Sequence, residues 1–358
     1  MKYLSLFSGI GGFELGIQKA YENNTKCKSI CPKSSPKECE QGGVGSPDEC
    51  DKMLCDSNRS APLCIGYSEI DKYAIQAYNK HFKHKNYGDA TKIDTRQLPD
   101  FDLLVGGFPC QAFSIAGKRK GFDEARGTLF FDIARILADK KPRHFILENV
   151  KGLLSHDGGR TFTTIIRILS SMGYFVEWEV LNAKSFGVPQ NRERVFIVGH
   201  LGGQPRRKVF PIGEPTGKDI NQLNQPTHSN NRIYGDDGIN PALNTMGGGN
   251  RQPKIVKVQG DVDKRKAYLG DIASTLAVNP TSDNTARALI GGKIRRLTPL
   301  ECERLMAYPD NWTAEGTEGK ISDTQRYKMC GNGIVSNCVE EVVKRIYKFE
   351  ILDKKEEA

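Results

Sequence analysis

The side chains able to do covalent or acid–base chemistry gather just past short apolar runs. Cys110 sits in "GGFPCQAFS", directly after "FDLLV", which reads as a buried strand. Glu148 lies at the end of "RHFILENV", a second such run. Arg192 and Arg194 open "QNRERVF", two residues apart and so on one side of a strand. Open α/β sheets place chemistry at strand ends. A thiol, a carboxyl and two guanidiniums there are able to converge at one sheet edge. Singly, each has a plainer role. A cysteine after a strand is either a buried space-filler or a nucleophile. A lone glutamate caps a helix or joins a salt bridge, and arginines cover surfaces.

Positioning such groups needs a sheet, and the chain reads as one. "YLSLF" is a short β-rich run that stops at "SGIGG", and the helical pattern "FELGIQKAYE" follows. Strand, glycine turn and helix open a nucleotide-binding βαβ unit. "CIGYSEID", Cys64 to Asp71, reads as a second strand ending in acids, with "KYAIQAYNKHF" as its helix. "YGDATKID" begins a loop. Beyond it come the strand "FDLLV", the amphipathic helix "GTLFFDIARILADKK", the strand "RHFILENV" and the helix "TFTTIIRILSSMG". "YFVEWEVLNA" and "RVFIVGH" are two more strands. The alternation predicts a mostly parallel sheet with helices on both faces. The glycines of "FSGIGG" let the backbone approach a ligand, and Glu69 after the second strand is placed to accept from both ribose hydroxyls. The pattern is not G-x-G-x-x-G, which favours an adenosine ligand without a pyrophosphate.

Composition sets the class. The chain has 358 residues, 38% hydrophobic and 27% charged, which suits a soluble protein of two domains. No apolar run reaches the length of a membrane span. The N-terminus lacks a signal-peptide pattern. We therefore expect a reducing, cytoplasmic setting, no membrane partner, and no structural disulfides despite ten cysteines. Net charge is +9, and Leu201 to Pro299 carries fifteen Lys and Arg against eight Asp and Glu. That window suits a polyanion. It is rich in Gly, Asn, Pro and Arg, and reads as a separate irregular domain. "TPLECERLMAYP" and "NCVEEVVKRIYKFEIL" are helical.

Taken in order, these segments resemble the DNA cytosine-5 methyltransferase family. "FSGIGGFELG", "SEID", "YGDATKID", "GGFPCQAFS", "RGTLFFDIARIL", "ENVKGLLSHD", "GVPQNRERVFIVG", "RRLTPLECERLMAYPD" and "YKMCGNGIVSNCV" match its motifs from Tyr3 to about Tyr347. The resemblance implies a Rossmann-like α/β domain over 1–200 and 323–358, and a smaller irregular target-recognition domain over 201–322. It implies S-adenosylmethionine as cofactor and double-stranded DNA as partner, bound by a monomer. Cys110 becomes the nucleophile that adds to C6 of a flipped cytosine, which activates C5 toward the methyl group. Glu148 would hold N3 and the exocyclic amine. Arg194 would contact O2, and Arg192 the phosphate backbone nearby. The cofactor pocket would be lined by Phe7, Gly9, Ile10 and Gly12. Glu69 would take the ribose, with Ile70 near the adenine and Asp89 at its amine. Pro109, Leu129 and Asn332 would complete the pocket. Gln111 and Ser114 would lie near the space the base vacates, and Lys118, Arg119 and Lys120 would meet phosphates from a mobile loop. A tRNA cytosine-5 methyltransferase and a non-catalytic base-flipping protein are the rival readings.

Three features depart from the family pattern. "GNG" replaces Gly-Asn-Ser at Gly331 to Gly333. Two similar stretches, near 232–254 and 266–290, begin 34 residues apart and predict tandem recognition elements. Thr275 and Leu276 mark the second; Ala242 and Leu243 take their place in the first. Arg232 and Arg251 are candidate guanine readers. The insert 27–64 holds six cysteines, five basic and six acidic residues, but no C-x-x-C and no histidine. It reads as an exposed loop, and no metal is expected there.

Overall fold

The computed structural model describes residues 1–30, 61–109, 129–202, 208–212, 233–235, 240–241, 243, 254–256 and 294–357. Its centre is a six-stranded sheet made of β1 (Lys2–Leu6), β2 (Leu63–Ser68), β3 (Leu103–Gly107), β4 (His144–Val150), β5 (Tyr174–Asn182) and β7 (Glu193–Leu201). Their spatial order is β2-β1-β3-β4-β7-β5. The first four are parallel, and β7 runs antiparallel to both its neighbours. The order reverses between β1 and β3, which opens a crevice at their carboxyl ends.

Alternation along the strands divides the core in two. Tyr3, Leu103, Val105 and Ile146 face one side, with Phe196 and Val198 of β7. Leu4, Leu104, Phe145, Leu147, Val195 and Ile197 face the other. The second side is covered by α3 (Leu129–Lys140) and α4 (Arg160–Ser171). The first is covered by α1 (Gly12–Ile30), α2 (Lys72–His81) and the C-terminal segment. That segment comprises α5 (Pro299–Leu305), α6 (Asp323–Asn332) and α7 (Ser336–Glu357). Thr298 and Glu301 close a reciprocal capping box at the start of α5. Where α1 crosses α7, a Cβ on Gly16 would lie 2.6 Å from the Val339 Cβ, so only glycine permits the approach.

Sequence periodicity gives these strands and most of these helices, but not α6, whose polar run "DTQRYKMCGN" has little apolar rhythm. The cysteine-rich insert is also shorter than expected. Cys27 belongs to α1, and Cys64 is a buried thiol of β2; 31–60 lie outside the described residues. Beyond the main sheet, β8 (Ile233–Gly235), β10 (Lys254–Val256) and β11 (Ile294–Arg296) form a small sheet. β6 (Gln190–Asn191) pairs in parallel with β9 (Asn240–Pro241). Among the described residues, no helix is long and apolar enough to cross a membrane.

One buried carboxyl makes the fold sensitive to pH. Glu14, in the first turn of α1, is 1% exposed. Its Oε1 accepts the Tyr78 hydroxyl at 3.1 Å, while Oε2 has no partner. Burial pushes the carboxyl from 4.5 up to about 7, against the downward pull of the nearby Ser5 and Tyr78 hydroxyls. Across that window the folded chain keeps a proton that the unfolded chain releases. Stability therefore falls as pH rises from about 4.5 to about 7, and then levels. Relative to Glu14→Gln, the wild type should lose about 2–3 kcal/mol between pH 5 and pH 8. Urea denaturation at both values measures it, and parallel pH dependence in the two proteins would refute this account.

Candidate active site

The carboxyl ends of β1, β2, β3 and β4 and the amino end of β7 meet at one edge of the sheet, and pleat and register decide which side chains meet there. Glu148 follows Ile146 by two residues, so both occupy the face covered by the C-terminal segment. Arg194 precedes Phe196 by two and takes the same face. The β4–β7 register pairs Glu148 with Phe196 and Val150 with Arg194. Arg194 is thus the diagonal neighbour of Glu148, and its Nε lies 3.0 Å from Glu148 Oε1, with both side chains largely buried. The parallel register sets Gly107 of β3 on the other side of Glu148. A Cβ on Gly107 would come within 3.1 Å of Glu148 Oε2, so glycine keeps the carboxylate's space clear.

The electrostatics of this pair are a contest. Burial pushes the Glu148 carboxyl above its ordinary range, Arg194 and then Arg192 pull it down, and burial prevails. Beside it, buried Asn149 donates from Nδ2 to the Phe108 carbonyl at 2.8 Å. That bond ties β4 to the strand end two residues before Cys110.

Arg192 does something other than its expected phosphate contact. It lies just before β7 and is 3% exposed. Nη1 donates to the Leu243 carbonyl at 2.9 Å, and Nη2 to Gly331 and Gly333 at 3.1 and 2.7 Å. A guanidinium committed to three buried carbonyls is not presented to a phosphate in this structure. The two-residue spacing carries no common orientation, because Arg192 is outside the strand that holds Arg194.

The remaining strand ends build a second group. Phe7 has φ 55° and Gly9 φ 54°, and nothing lies within 4 Å of where a Gly9 Cβ would stand. Glu69 follows β2. Its Oε2 accepts the Gly9 N–H at 2.8 Å, and its Oε1 accepts the Ile70 and Asp71 N–H groups, each at 2.8 Å. The carboxylate thereby fixes the glycine turn against the start of α2, which Asp71 caps. Ile70 is 74% exposed at the mouth of this crevice. Asp89 caps a 3-10 turn through the Thr91 N–H and hydroxyl, which hold its carboxyl below the usual range. The neighbouring Gly88 also has open space where a Cβ would be. Pro109 and Asn332 are exposed, and Leu129, the first residue of α3, is half-buried.

Two expected pocket residues turn elsewhere. The Ile10 side chain packs in the core, and its carbonyl accepts the Trp312 Nε1 hydrogen at 2.9 Å. Gly12 is closed in by Tyr308 and Ile334, so its lack of a side chain serves packing. Cys110, Gln111, Ser114, Lys118, Arg119, Lys120, Arg232, Arg251, Thr275 and Leu276 lie outside the described residues.

Sequence reasoning missed four supporting groups: Asn149, Gln190, Trp312 and Lys328. Lys328 on α6 reaches the Asp71 carboxylate at 2.7 Å and so ties α6 to the crevice. Asn149 and Gln190 lie inside quoted motifs beside the catalytic candidates, a signal available but unused. Trp312 and Lys328 act through contacts hundreds of residues away in sequence, which no local pattern carries.

The Glu148–Arg194 pair makes a direct test. Arg194→Ala would strand a buried carboxylate, a loss of about 3–5 kcal/mol for a broken buried pair. Protonating Glu148 removes the stranded charge, so the deficit should be large at pH 8 and smaller at pH 5. The double variant Glu148→Gln/Arg194→Ala should not show that pH dependence. Denaturant titrations of the three proteins decide it; a pH-independent deficit in Arg194→Ala would mean the pair is not coupled.

Similarity to known proteins agrees with this geometry. The profile of the C-5 cytosine-specific DNA methylases matches residues 58–348. The type II methyltransferase M1.ScrFI of Lactococcus lactis subsp. cremoris is 35% identical over 363 residues, which span 99% of this chain and 79% of that protein. M.HhaI of Haemophilus parahaemolyticus is 30% identical over 361 residues, 97% and 94% of the two chains. In fold, a mutant DNMT2 from Spodoptera frugiperda superposes with a TM-score of 0.62 at 15% identity, over 97% of this chain and 99% of its own. The chain belongs to the C-5 cytosine-specific DNA methylase family.

Proposed function

We propose that this DNA cytosine-5 methyltransferase works by nucleophilic catalysis from Cys110, with Glu148 and Arg194 holding the flipped base and S-adenosylmethionine as methyl donor. The observation that carries the assignment is the buried Glu148–Arg194 pair at the strand edge, directly beside the strand end that leads to Cys110. A protein that acts on one base of a duplex must take it out of the stack. A half-dry site with one carboxyl and one guanidinium suits an edge that offers donors and acceptors together.

The residue roles follow from the chemistry of the ring. The Cys110 thiolate adds to C6, and the electron pair of the C5–C6 bond becomes available at C5. Charge accumulates toward N3 and O2. Glu148, with its carboxyl pushed up by burial, is suited to share a proton at N3, and Arg194 is suited to stabilise O2. After methylation C5 loses its proton to a base, the C6–S bond breaks, and the thiolate and aromatic ring are restored. Asn149 holds the Phe108 carbonyl and with it the approach to Cys110.

The crevice fits an adenosine-type cofactor. Open space at Gly9 and Gly88, the anchored Glu69 carboxylate and the exposed Ile70 face supply close approach, a hydroxyl acceptor and an apolar surface. S-adenosylmethionine would supply an electrophilic methyl group. Phe7, Glu69, Ile70, Asp89, Pro109, Leu129 and Asn332 are the residues we assign to holding it, with Gly9 giving main-chain access.

Two measurements test the assignments. Cys110→Ser should abolish transfer of labelled methyl groups to duplex DNA, and wild type should form a covalent adduct with DNA carrying 5-fluorocytosine. The fluorine cannot leave as the C5 proton does. Activity in the serine variant would remove Cys110 from the mechanism, and transfer to tRNA but not duplex DNA would reassign the substrate. Glu69→Ala should raise the S-adenosylmethionine Kd by about 10–150-fold, since hydrogen bonds to a charged group contribute about 1.5–3 kcal/mol. Unchanged calorimetric binding would reject the ribose assignment.

A further inference from the structure

Leu243, from the irregular stretch that follows Ile212, is seated in the core that packs on the catalytic sheet. Leu243 is 2% exposed and shares the core that contains Val188, Leu305 and Met306. Both polar groups of its main chain are captured by buried side chains. Its N–H donates to Gln190 Oε1 at 3.0 Å, and its carbonyl accepts from Arg192 Nη1 at 2.9 Å. Gln190 is fully buried, and its Nε2 donates to the Leu305 carbonyl at 2.7 Å. The pairing of β6 with β9 brings the chain in just before Leu243.

The same arginine faces the cofactor side. Its Nη2 holds the carbonyls of Gly331 and Gly333, the two neighbours of Asn332. Two residues further on, Arg194 pairs with Glu148. Two separate stretches of chain therefore meet on one buried guanidinium. If the Leu243 peptide leaves, Gln190 loses an acceptor's partner and Arg192 loses one of its three carbonyls. Buried polar groups left unpaired are costly, so the guanidinium must draw onto Gly331 and Gly333 alone, and the chain that carries Arg194 shifts with it.

We propose that the Gln190–Arg192 clamp on the Leu243 main chain is a positioning device. It registers the seating of the recognition region and transmits it along the chain to the Arg194–Glu148 pair. The inference rests on the methyltransferase reading, and it makes the upstream of the two similar stretches a docking element. Deleting 232–254 would remove β8, β9 and the seated leucine, so this stretch is not a dispensable spacer.

The test compares wild type with Gln190→Leu, which keeps the volume and removes the acceptor for the Leu243 N–H. Three quantities are read: methyl transfer to plasmid DNA, the bisulfite-mapped methylation sites, and the calorimetric Kd of S-adenosylhomocysteine without DNA. We expect kcat at saturating plasmid to fall at least about tenfold. Methylation should spread to sites one base pair removed from the wild-type site, while the Kd stays within about threefold. Unchanged kcat and sites in the folded variant would overturn the proposal. Loss of cofactor affinity in step with turnover would also overturn it, because that marks general loosening. If Gln190→Leu does not fold, Gln190→Met keeps the length and removes the same acceptor, and the same results support or overturn the clamp. A wild type that methylates no plasmid would count against the family activity and not against the clamp.

Discussion

A slip of one residue between β4 and β7 would turn Arg194 onto the face that packs under α3 and α4, and would leave Glu148 buried without its cation. Side chains alternate strictly along a strand, so register is a choice between two faces with nothing between. Here the apolar residues make the choice. Phe145, Leu147, Val195 and Ile197 fill one core while Ile146, Phe196 and Val198 fill the other. A one-residue slip would bury charges among leucines and expose leucines to the crevice. The site is therefore a by-product of core packing: once the hydrophobic residues are seated, Glu148 and Arg194 have one geometry available. Gly107 completes it from the opposite strand by contributing no side chain at all.

Where regular structure stops, buried polar side chains take over the same task. Glu303 on α5 is fully buried and accepts from the Thr313 N–H, the Thr313 hydroxyl and Arg326, which fastens the irregular turn before α6. Glu177 on β5 accepts from Val209 and holds that stretch against the edge of the sheet. Trp312 donates to the Ile10 carbonyl and stacks on His81 at 3.6 Å between ring centres, joining the glycine turn to α2. Each is a long-range contact made by a group that is expensive to bury unpaired. Their cost is the reason they specify position: a loop displaced by an ångström strands a charge, whereas a displaced leucine only loses contact area.

The legible part of this protein was what obeys a short period. Strands, most helices, the mainly parallel sheet and the edge position of Glu69, Glu148 and Arg194 follow from alternation and strand ends. The motif order gives the family. What was not legible depends on depth. Arg192 and Arg194 look equivalent in "QNRER", yet Arg192 lies between two strands and turns into the junction with Gly331 and Gly333. Gly9 and Gly12 look equivalent in "SGIGG", yet one faces open space and the other is closed in by Tyr308 and Ile334. Nothing within ten residues of either pair distinguishes them, because the discriminating neighbours arrive from the far end of the chain. The helix α6 was hidden for a related reason: it packs by its last turn, so it needs no amphipathic stripe.

That difference in depth also explains why both positions are arginine. At Arg194 a planar guanidinium meets a carboxylate through Nε and keeps further N–H groups for a second acceptor, which a lysine ammonium of the same charge would not orient. At Arg192 the demand is for reach: two nitrogens of one fork serve three carbonyls on two chain segments. A lysine there would place a single point charge where a rigid fan of donors is needed, and one or two carbonyls would be left dry and unpaired. The cation beside Glu148 and the cation on the buried carbonyls thus differ only in which acceptors surround them. Moving either one disturbs the other, since they are two residues apart on the chain that runs between the Leu243 seat and Glu148.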